Sequence, residues 1–156
     1  MPRALFYHLT GDPPEALLPT LIGKALEAGL RVAVRGAGPE RVAALDLALW
    51  QGEGVLPPRL AGGPHDADQP ALLVWDDAPA PALPNAPACL IALDGVPVAA
   101  DEAAVLERVL VVFDGLDPMQ LATARGQWKA LTAAAIPAEY WNREGGRWTR
   151  KAQHPA

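Results

Sequence analysis

The sequence predicts an α/β domain of three layers, in which a mainly parallel sheet carries helices on both faces. Short apolar runs alternate with stretches of helical periodicity, an order typical of consecutive strand–helix–strand units. The connections between the first four elements are short, as expected for such crossovers. The chain has 156 residues, which suits one domain with a sizeable core.

The amino-terminal part contains the clearest elements. Residues 4–9 and 31–35 are apolar runs that predict two strands. Between them, Pro14 suits the first turn of a helix, and Gly29 suits a left-handed cap at its end. A second helix is predicted from Pro39. Its apolar residues recur on one face and are Val42, Leu45, Leu49 and Trp50.

The middle of the chain is less regular. Residues 51–70 are rich in Gly and Pro, and residues 78–87 are proline-rich and predict a surface loop. Apolar runs at 72–75, 89–93 and 108–113 predict three more buried strands.

The carboxyl-terminal part is predicted to hold one long helix and a last strand. Asp117 can cap the helix, with Pro118 at its first position, and we expect it to end near residue 134. Residues 138–141 predict an edge strand, and Gly145-Gly146 a turn after it.

The composition is typical of a soluble globular protein, with 51% hydrophobic and 20% charged residues. We expect residues 1–152 to form one domain and residues 153–156 a frayed tail. Cys89 is the only cysteine, which excludes an intramolecular disulfide and fits a reducing compartment. Without a signal-peptide pattern or an apolar run of 18 residues, we expect a cytoplasmic protein with no membrane span.

Charge is unevenly distributed along the chain. The net charge is −5, but the segment 125–156 holds six basic and two acidic residues and carries +4. The remainder therefore carries −9, which disfavours general binding to nucleic acid because phosphate attraction dominates that affinity. A basic end can still attract an acidic partner.

The segment Gly36-Ala37-Gly38-Pro39 follows a predicted strand and is the nearest approach to a phosphate-binding loop. A dinucleotide site needs a third glycine, and Pro39 lacks an N–H donor. No lysine–hydroxyl pair of a P-loop follows. We therefore interpret the segment as a tight turn that starts a helix, and we expect no cofactor.

Residues for catalysis or metal binding are scattered. His8, His65 and His154 lack the spacing of metal ligands, and Asp76-Asp77 is best explained as a solvated turn. Cys89 lies in an apolar run, where a thiol is usually inert. The chain contains no serine, which excludes a serine nucleophile. We predict no catalytic residue and no metal site.

The helix after Asp117 carries the most informative group of side chains. Arg125 and Lys129 are four residues apart and lie on the same side, and Trp128 lies beside them. Arginine can bind a carboxylate through two parallel hydrogen bonds, and an indole can hold a ring. The group suits a ligand that is both anionic and aromatic, although a core tryptophan beside a basic helix edge is the commoner explanation of such a pattern.

Several motifs, in order along the chain, resemble the chi-subunit family of the bacterial DNA polymerase III holoenzyme (the HolC family). Leu45-Asp46-Leu47-Ala48-Leu49-Trp50 is similar to its L-D-x-x-L-W helix end. Ala124-Arg125-Gly126-Gln127-Trp128-Lys129 is similar to A-R-x-x-[YW]-K. Three further segments resemble the family's opening strand, its F-x-P-H-x-L-A-G segment and the stretch before its next strand, and they are Phe6-Tyr7-His8-Leu9, the residues 55–62 and the residues 69–73.

This resemblance implies a nucleotide-binding-like topology without a functional P-loop, and a role in replication as a link between the clamp loader and single-stranded-DNA-binding protein (SSB). The SSB tail is acidic and ends in a phenylalanine carboxylate. Arg125 would bind that carboxylate, Trp128 would help wall the ring pocket, and Lys129 would attract the acids. DNA would be contacted only indirectly. The more distant cations that could steer the tail are Arg143, Arg147, Arg150 and Lys151.

The resemblance also implies a second interface, with the psi subunit or the clamp-loader complex. Trp50, Val55, Leu56 and Pro57 match the family positions there. Val55 and Pro58 replace an aromatic residue and a histidine of the family segment, and Leu121 stands where some members carry a basic residue. Two other classes stay open from the sequence: a nucleotide-binding enzyme of the same fold, and a protein that binds single-stranded DNA directly.

Overall fold

Eight strands form one sheet, in the order β3-β4-β2-β5-β6-β1-β7-β8. The computed structural model describes residues 2–51, 59–60, 69–75, 83, 85–144 and 147–155. All neighbouring strands are parallel except β7 and β8, which are antiparallel. The strands are β1 (Arg3–Leu9), β2 (Val32–Arg35), β3 (Arg59–Leu60), β4 (Ala71–Val74), β5 (Cys89–Leu93), β6 (Arg108–Asp114), β7 (Ala138–Glu144) and β8 (Arg147–His154).

Four helices cover the two faces of this sheet and make three layers. They are α1 (Pro14–Glu27), α2 (Pro39–Gln51), α3 (Ala100–Ala104) and α4 (Pro118–Ala133). Buried residues of α1 and α2 belong to one core cluster, and buried residues of α3 and α4 to a second one. The predicted fold class, a mainly parallel α/β sheet with helices on both faces, is confirmed.

Strand β1 lies inside the sheet, between β6 and β7, and shows how the two faces are built. Leu5 and Leu9 pack in the cluster under α1 and α2, whereas Ala4 and Phe6 pack in the cluster under α3 and α4. Successive side chains of a strand point to opposite faces, so Tyr7 joins the first set. β1 therefore contributes to both surfaces discussed below.

Helix α4 begins and ends close to where the sequence predicts. Asp117 is the cap residue, and its carboxylate accepts hydrogen bonds from the backbone N–H groups of Met119 (2.9 Å) and Gln120 (3.3 Å). Pro118 occupies the first turn, where a missing N–H costs no hydrogen bond. These contacts fix the start of the helix that carries the basic and aromatic group.

The carboxyl-terminal strands differ from the prediction. β7 is not the edge strand, because β1 lies on one side of it and β8 on the other. β8 continues to His154, which pairs with Ala138, so Gln153 and His154 belong to the sheet and not to a frayed end. The alternation along β8 is too polar to signal a strand, and its pairing with β7 supplies the order that the pattern lacks.

Two other features are absent from the prediction. Helix α3 is short and without a capping side chain, which leaves little signal in the sequence. Within the proline-rich loop, Leu83 and Asn85 are buried, although we expected surface there. The Asn85 amide donates hydrogen bonds to the backbone oxygens of Val32 (3.1 Å) and Gln69 (3.2 Å), so it anchors the loop to the sheet.

A buried ion pair joins β2 to α3. Arg35 and Glu102 are 5% and 9% exposed, and the guanidinium donates two parallel hydrogen bonds, of 2.9 and 2.7 Å, to the carboxylate. The paired geometry compensates the loss of hydration that burial imposes on both charges. The pair ties the carboxyl end of β2 to α3, on the face of the sheet opposite to α1 and α2.

Candidate functional site

Helix α4 brings the three predicted residues to one side of the domain. Arg125 and Lys129 are exposed, whereas Trp128 is partly buried. Ala124 and Leu131, on the inner side of the helix, are buried in the core. The Trp128 indole therefore lies at the border between the core and solvent. Arg125 lies one helical turn before Lys129.

The Trp128 ring rests on aromatic side chains of the sheet. It makes edge-to-face contacts with Phe6 (5.4 Å between ring centroids) and Tyr140 (6.1 Å). Tyr140 in turn contacts Phe113 (6.0 Å) and His8 (5.9 Å). Strands β1, β6 and β7 are neighbours, so these alternating residues meet on the face covered by α4.

A short hydrogen bond connects two strands inside this cluster. His8 Nδ1 lies 2.6 Å from the hydroxyl oxygen of Tyr140. Gly115 abuts the other side of the imidazole, because a Cβ at that position would overlap the His8 ring. The ring of Phe113 lies 5.2 Å away. The imidazole is thus held on three sides.

The charge of Arg125 reaches both partners of that hydrogen bond. Burial and then the nearby Arg125 guanidinium lower the pKa of His8, while Asp114 acts in the opposite direction. Burial raises the pKa of Tyr140, and Arg125 partly offsets this. Near neutral pH the site therefore combines a neutral phenol and a largely neutral imidazole with the exposed cations of α4.

This arrangement is suited to an anion attached to an apolar group. Arg125 offers a planar set of donors that matches a carboxylate, and its charge acts on Tyr140, the ring that Trp128 contacts. Lys129 supplies a second, more mobile positive charge. The arrangement combines two exposed cations with a partly buried indole on one helix.

His8, Phe113, Gly115 and Tyr140 are not among the predicted site residues. The sequence places them on separate strands and loops, and nothing in their spacing indicates that β1, β6 and β7 are adjacent. The period-two alternation of residues 6–9 and 138–141 is the signal that pairs His8 and Tyr140 on one face once the strand order is known.

The distant cations of the carboxyl-terminal segment lie on the β7–β8 hairpin, and two of them face away from Arg125. Arg143 pairs across the strands with Trp148, and Arg150 pairs with Trp141. Cross-strand partners share a face, and Trp148 packs on Tyr7 on the α1 side. Arg143 lies 3.6 Å from Asp12, and Arg150 lies 3.9 Å from Glu139.

The glycine segment after β2 is packed against the first turn of α2. A Cβ at Gly36 would lie 2.7 Å from a methyl carbon of Val42, so glycine here permits close approach of α2 to the strand. The nearby Arg41 forms ion pairs with Glu15 (2.7 Å) and Asp94 (2.8 Å). The basic side chain at the start of α2 is thus committed to the protein's own carboxylates.

The remaining candidates for chemistry carry little weight. Cys89 is buried in β5 as predicted, and burial raises the pKa of its thiol to about 12. Among the described residues, no group of three His, Cys, Asp or Glu side chains could hold a metal ion. Asp76, Asp77 and His65 lie outside the described residues.

The residues predicted for the second interface lie at the end of α2 and beyond it. Val55, Leu56 and Pro57 lie outside the described residues, and Trp50 belongs to α2 without a described side chain.

Together, fold and site define an α/β protein with a mainly parallel sheet, helices on both faces and a basic, aromatic surface on its last helix. The chain belongs to the DNA polymerase III chi subunit (HolC) family, whose sequence model matches residues 1–139. This family is an accessory subunit of DNA polymerase III, which places the chain in DNA replication. No curated protein gave a match. None of the described helices is long and apolar enough to cross a membrane.

Proposed function

We propose that this chain is a non-catalytic, cytoplasmic subunit that links the clamp-loader complex to SSB during DNA replication. Its working surface is the side of α4 that carries Arg125, Trp128 and Lys129. The ligand is the acidic carboxyl-terminal tail of SSB, and contact with DNA is indirect. The chain's net charge of −5 supports a protein ligand over a nucleic acid, since a duplex or single strand would be repelled by most of the surface.

One observation carries this proposal. The Arg125 guanidinium lies close enough to His8 and Tyr140 for its charge to shift the pKa of both groups, and Trp128 contacts Tyr140 directly. An exposed cation therefore lies within electrostatic range of an aromatic cluster whose outermost indole is on the same helix. The last residue of the tail would place its carboxylate at Arg125 and its phenyl ring against Trp128 and Tyr140. Acids upstream in the tail would pair with Lys129.

Fluorescence anisotropy with a labelled SSB tail peptide tests the proposal. We expect saturable binding that weakens at least tenfold in Arg125→Ala and when the last phenylalanine of the peptide is removed. Lys24→Ala is the matched control, because it removes one exposed cation on the opposite face of the sheet. Affinity that is unchanged by both the Arg125 substitution and the peptide truncation would falsify tail binding at this surface of α4.

The cations of the β7–β8 hairpin extend this proposal to the rate of association. Arg147 and Lys151 are exposed on β8, the edge strand next to β7, and add positive potential there. Such charges act mainly on the association rate and are screened by salt. We expect Arg147→Ala to slow association about twofold at low salt and to leave the dissociation rate unchanged, as measured by stopped-flow fluorescence.

The link to the clamp loader requires a second surface, which we assign to the end of α2 and the residues that follow. We assign this surface to four residues: Trp50, Val55, Leu56 and Pro57. Its partner is a psi subunit or the clamp-loader complex. We expect Trp50→Ala to abolish co-purification with the clamp loader while tail-peptide binding persists. Loss of both activities together would contradict the assignment of two separate surfaces.

A further inference from the structure

A second aromatic and basic surface lies on the opposite face of the sheet from Arg125. Between α1 and the β7–β8 hairpin runs a groove, which we call the α1–hairpin groove. Its wider half has a volume of about 340 Å³ and its narrower half about 220 Å³. The two halves share four lining residues, which makes them continuous: Tyr7, Leu21, Lys24 and Trp141.

The floor of the groove is apolar and aromatic. Leu5 and Leu110 line one half, Leu9 and Leu17 the other, and Tyr7 lies between them. The walls add indole rings from the hairpin, with Trp148 in edge-to-face contact with Tyr7 at 5.4 Å. Trp141 and Trp148 are partly exposed, so this apolar surface is accessible from solvent.

Positive charges line the groove along its length. Arg3 and Arg108 lie in the narrower half, Arg143 lies in the wider half, and Lys24 is shared by both. Arg143 approaches Asp12, but Arg3, Lys24 and Arg108 form no ion pair with any residue in the described part of the chain. A local excess of unpaired cations over apolar surface, in a chain of net charge −5, indicates a site for an acidic ligand.

We propose that the α1–hairpin groove binds an internal acidic segment of a partner protein, in extended conformation and with bulky apolar side chains. The groove follows β1, whose seven residues span about 20 Å, which accommodates six or seven extended residues. Apolar side chains of the segment pack against the partly exposed Leu17, Trp141 and Trp148. Its acids pair with Arg3, Lys24 and Arg108. No chain terminus is required.

Two carboxylates favour a peptide over single-stranded nucleic acid. Asp12 and Glu139 also line the groove. They would repel the phosphate that a nucleic acid carries at every nucleotide, whereas a peptide can place backbone N–H donors beside them.

The groove is distinct from the proposed SSB-tail site. Trp141, Arg143 and Trp148 lie beyond residue 139, where the match to the chi family ends. The alternation of β1 places Tyr7 in this groove and His8 at the tail site, with the sheet between them. Binding of a peptide in the α1–hairpin groove can therefore be tested independently of SSB-tail binding.

Two-dimensional NMR of the whole chain tests the groove with a defined probe, the blocked peptide acetyl-Asp-Leu-Asp-Phe-Asp-Leu-Asp-amide. Blocking removes the terminal carboxylate on which the tail site depends. We expect saturable shifts of the indole N–H signals of Trp141 and Trp148 below about 1 mM peptide, with the Trp128 signal unmoved. Shifts confined to Trp128, or none at Trp141 and Trp148, would overturn the proposal.

Charge variants complete the test. Lys24→Glu and Arg108→Glu are each expected to weaken peptide binding at least fivefold, because each replaces an attraction by a repulsion. Arg125→Ala is expected to leave it within twofold. A peptide with lysine at every aspartate position should not bind. Equal binding of that peptide, or tighter binding of a thymidine oligonucleotide to the same residues, would contradict an acidic peptide as the occupant.

Discussion

His8 and Gly115 set the shape of the tail site at the level of single residues. The imidazole is held between Phe113, the Tyr140 hydroxyl and the backbone of Gly115. Any side chain at position 115 must displace the ring, and displacement breaks the 2.6 Å hydrogen bond to Tyr140. Glycine is therefore required for close approach rather than for an unusual backbone angle.

Gly115→Ala is expected to lower the free energy of unfolding by about 1–3 kcal/mol, the usual cost of overpacking a filled site. Urea denaturation measures the loss. Gly126→Ala is the control: position 126 lies in α4 with open space around an added Cβ, and we expect a gain of about 1 kcal/mol from helix propensity. A Gly115→Ala protein as stable as the parent would show that the ring is not held as described.

The tail affinity is expected to rise as the pH falls from 8 to 5.5. Burial and Arg125 lower the pKa of His8 in the free protein, while Asp114 opposes them and the Tyr140 phenol stays neutral. A bound carboxylate offsets the Arg125 charge, so the pKa of His8 is higher in the complex and binding takes up a proton. The gain in affinity is set by the difference between the pKa of His8 in the complex and in the free protein.

Peptide titrations by calorimetry across that pH range measure this effect. His8→Gln removes the titrating group, and its affinity should be independent of pH above the range where the peptide's own carboxylates titrate. A wild-type affinity that stays constant, or that falls with decreasing pH, would contradict the placement of the carboxylate beside His8.

At the level of elements, the Arg35–Glu102 pair joins β2 to α3. Glu102→Ala leaves a buried guanidinium without its carboxylate and is expected to cost about 3–5 kcal/mol of unfolding free energy. The comparison is Glu15→Ala, which removes a partly exposed partner of Arg41 and should cost less than about 1 kcal/mol. Equal losses in the two variants would show that the α3 ion pair does not contribute in proportion to its burial.

The sequence predicts helices and strands best where the hydrophobic periodicity agrees with the residues that start and end an element. Pro14, Asp117 and Pro118 mark helix starts, and the apolar run 89–93 is β5 to the residue. Prediction from the sequence fails where an element is stabilised by contacts with residues far away in the chain. Helix α3 is held by Arg35, and the carboxyl end of β8 by pairing with β7. Neither contact leaves a periodic pattern in the local sequence.

The candidate site follows the same division. Helical spacing places Arg125, Trp128 and Lys129 together, because all three lie on one element. His8, Tyr140 and Gly115 join them only through the strand order β6-β1-β7, which no local pattern specifies. The same order separates Tyr7 and Trp141 onto the other face, so the α1–hairpin groove could not be predicted from the sequence either.

At the level of the whole molecule, one sheet separates two basic surfaces in an acidic protein. Residues that act on separate surfaces with no shared partners should have additive effects. We therefore expect the double variant Arg125→Ala, Lys24→Glu to lose tail-peptide affinity only as much as Arg125→Ala alone. A further loss of more than about threefold would indicate that the tail also occupies the α1–hairpin groove.

The central claim is a direct contact between Arg125 and the carboxyl terminus of the SSB tail, and a double-mutant cycle measures that contact. Tail peptides ending in a free carboxylate and in an amide are each titrated into the wild type and Arg125→Ala. We predict that amidation weakens wild-type binding about tenfold or more and leaves the variant's affinity unchanged, a coupling of about 1.5–3 kcal/mol. Independent losses that simply add in the doubly altered complex would contradict the contact.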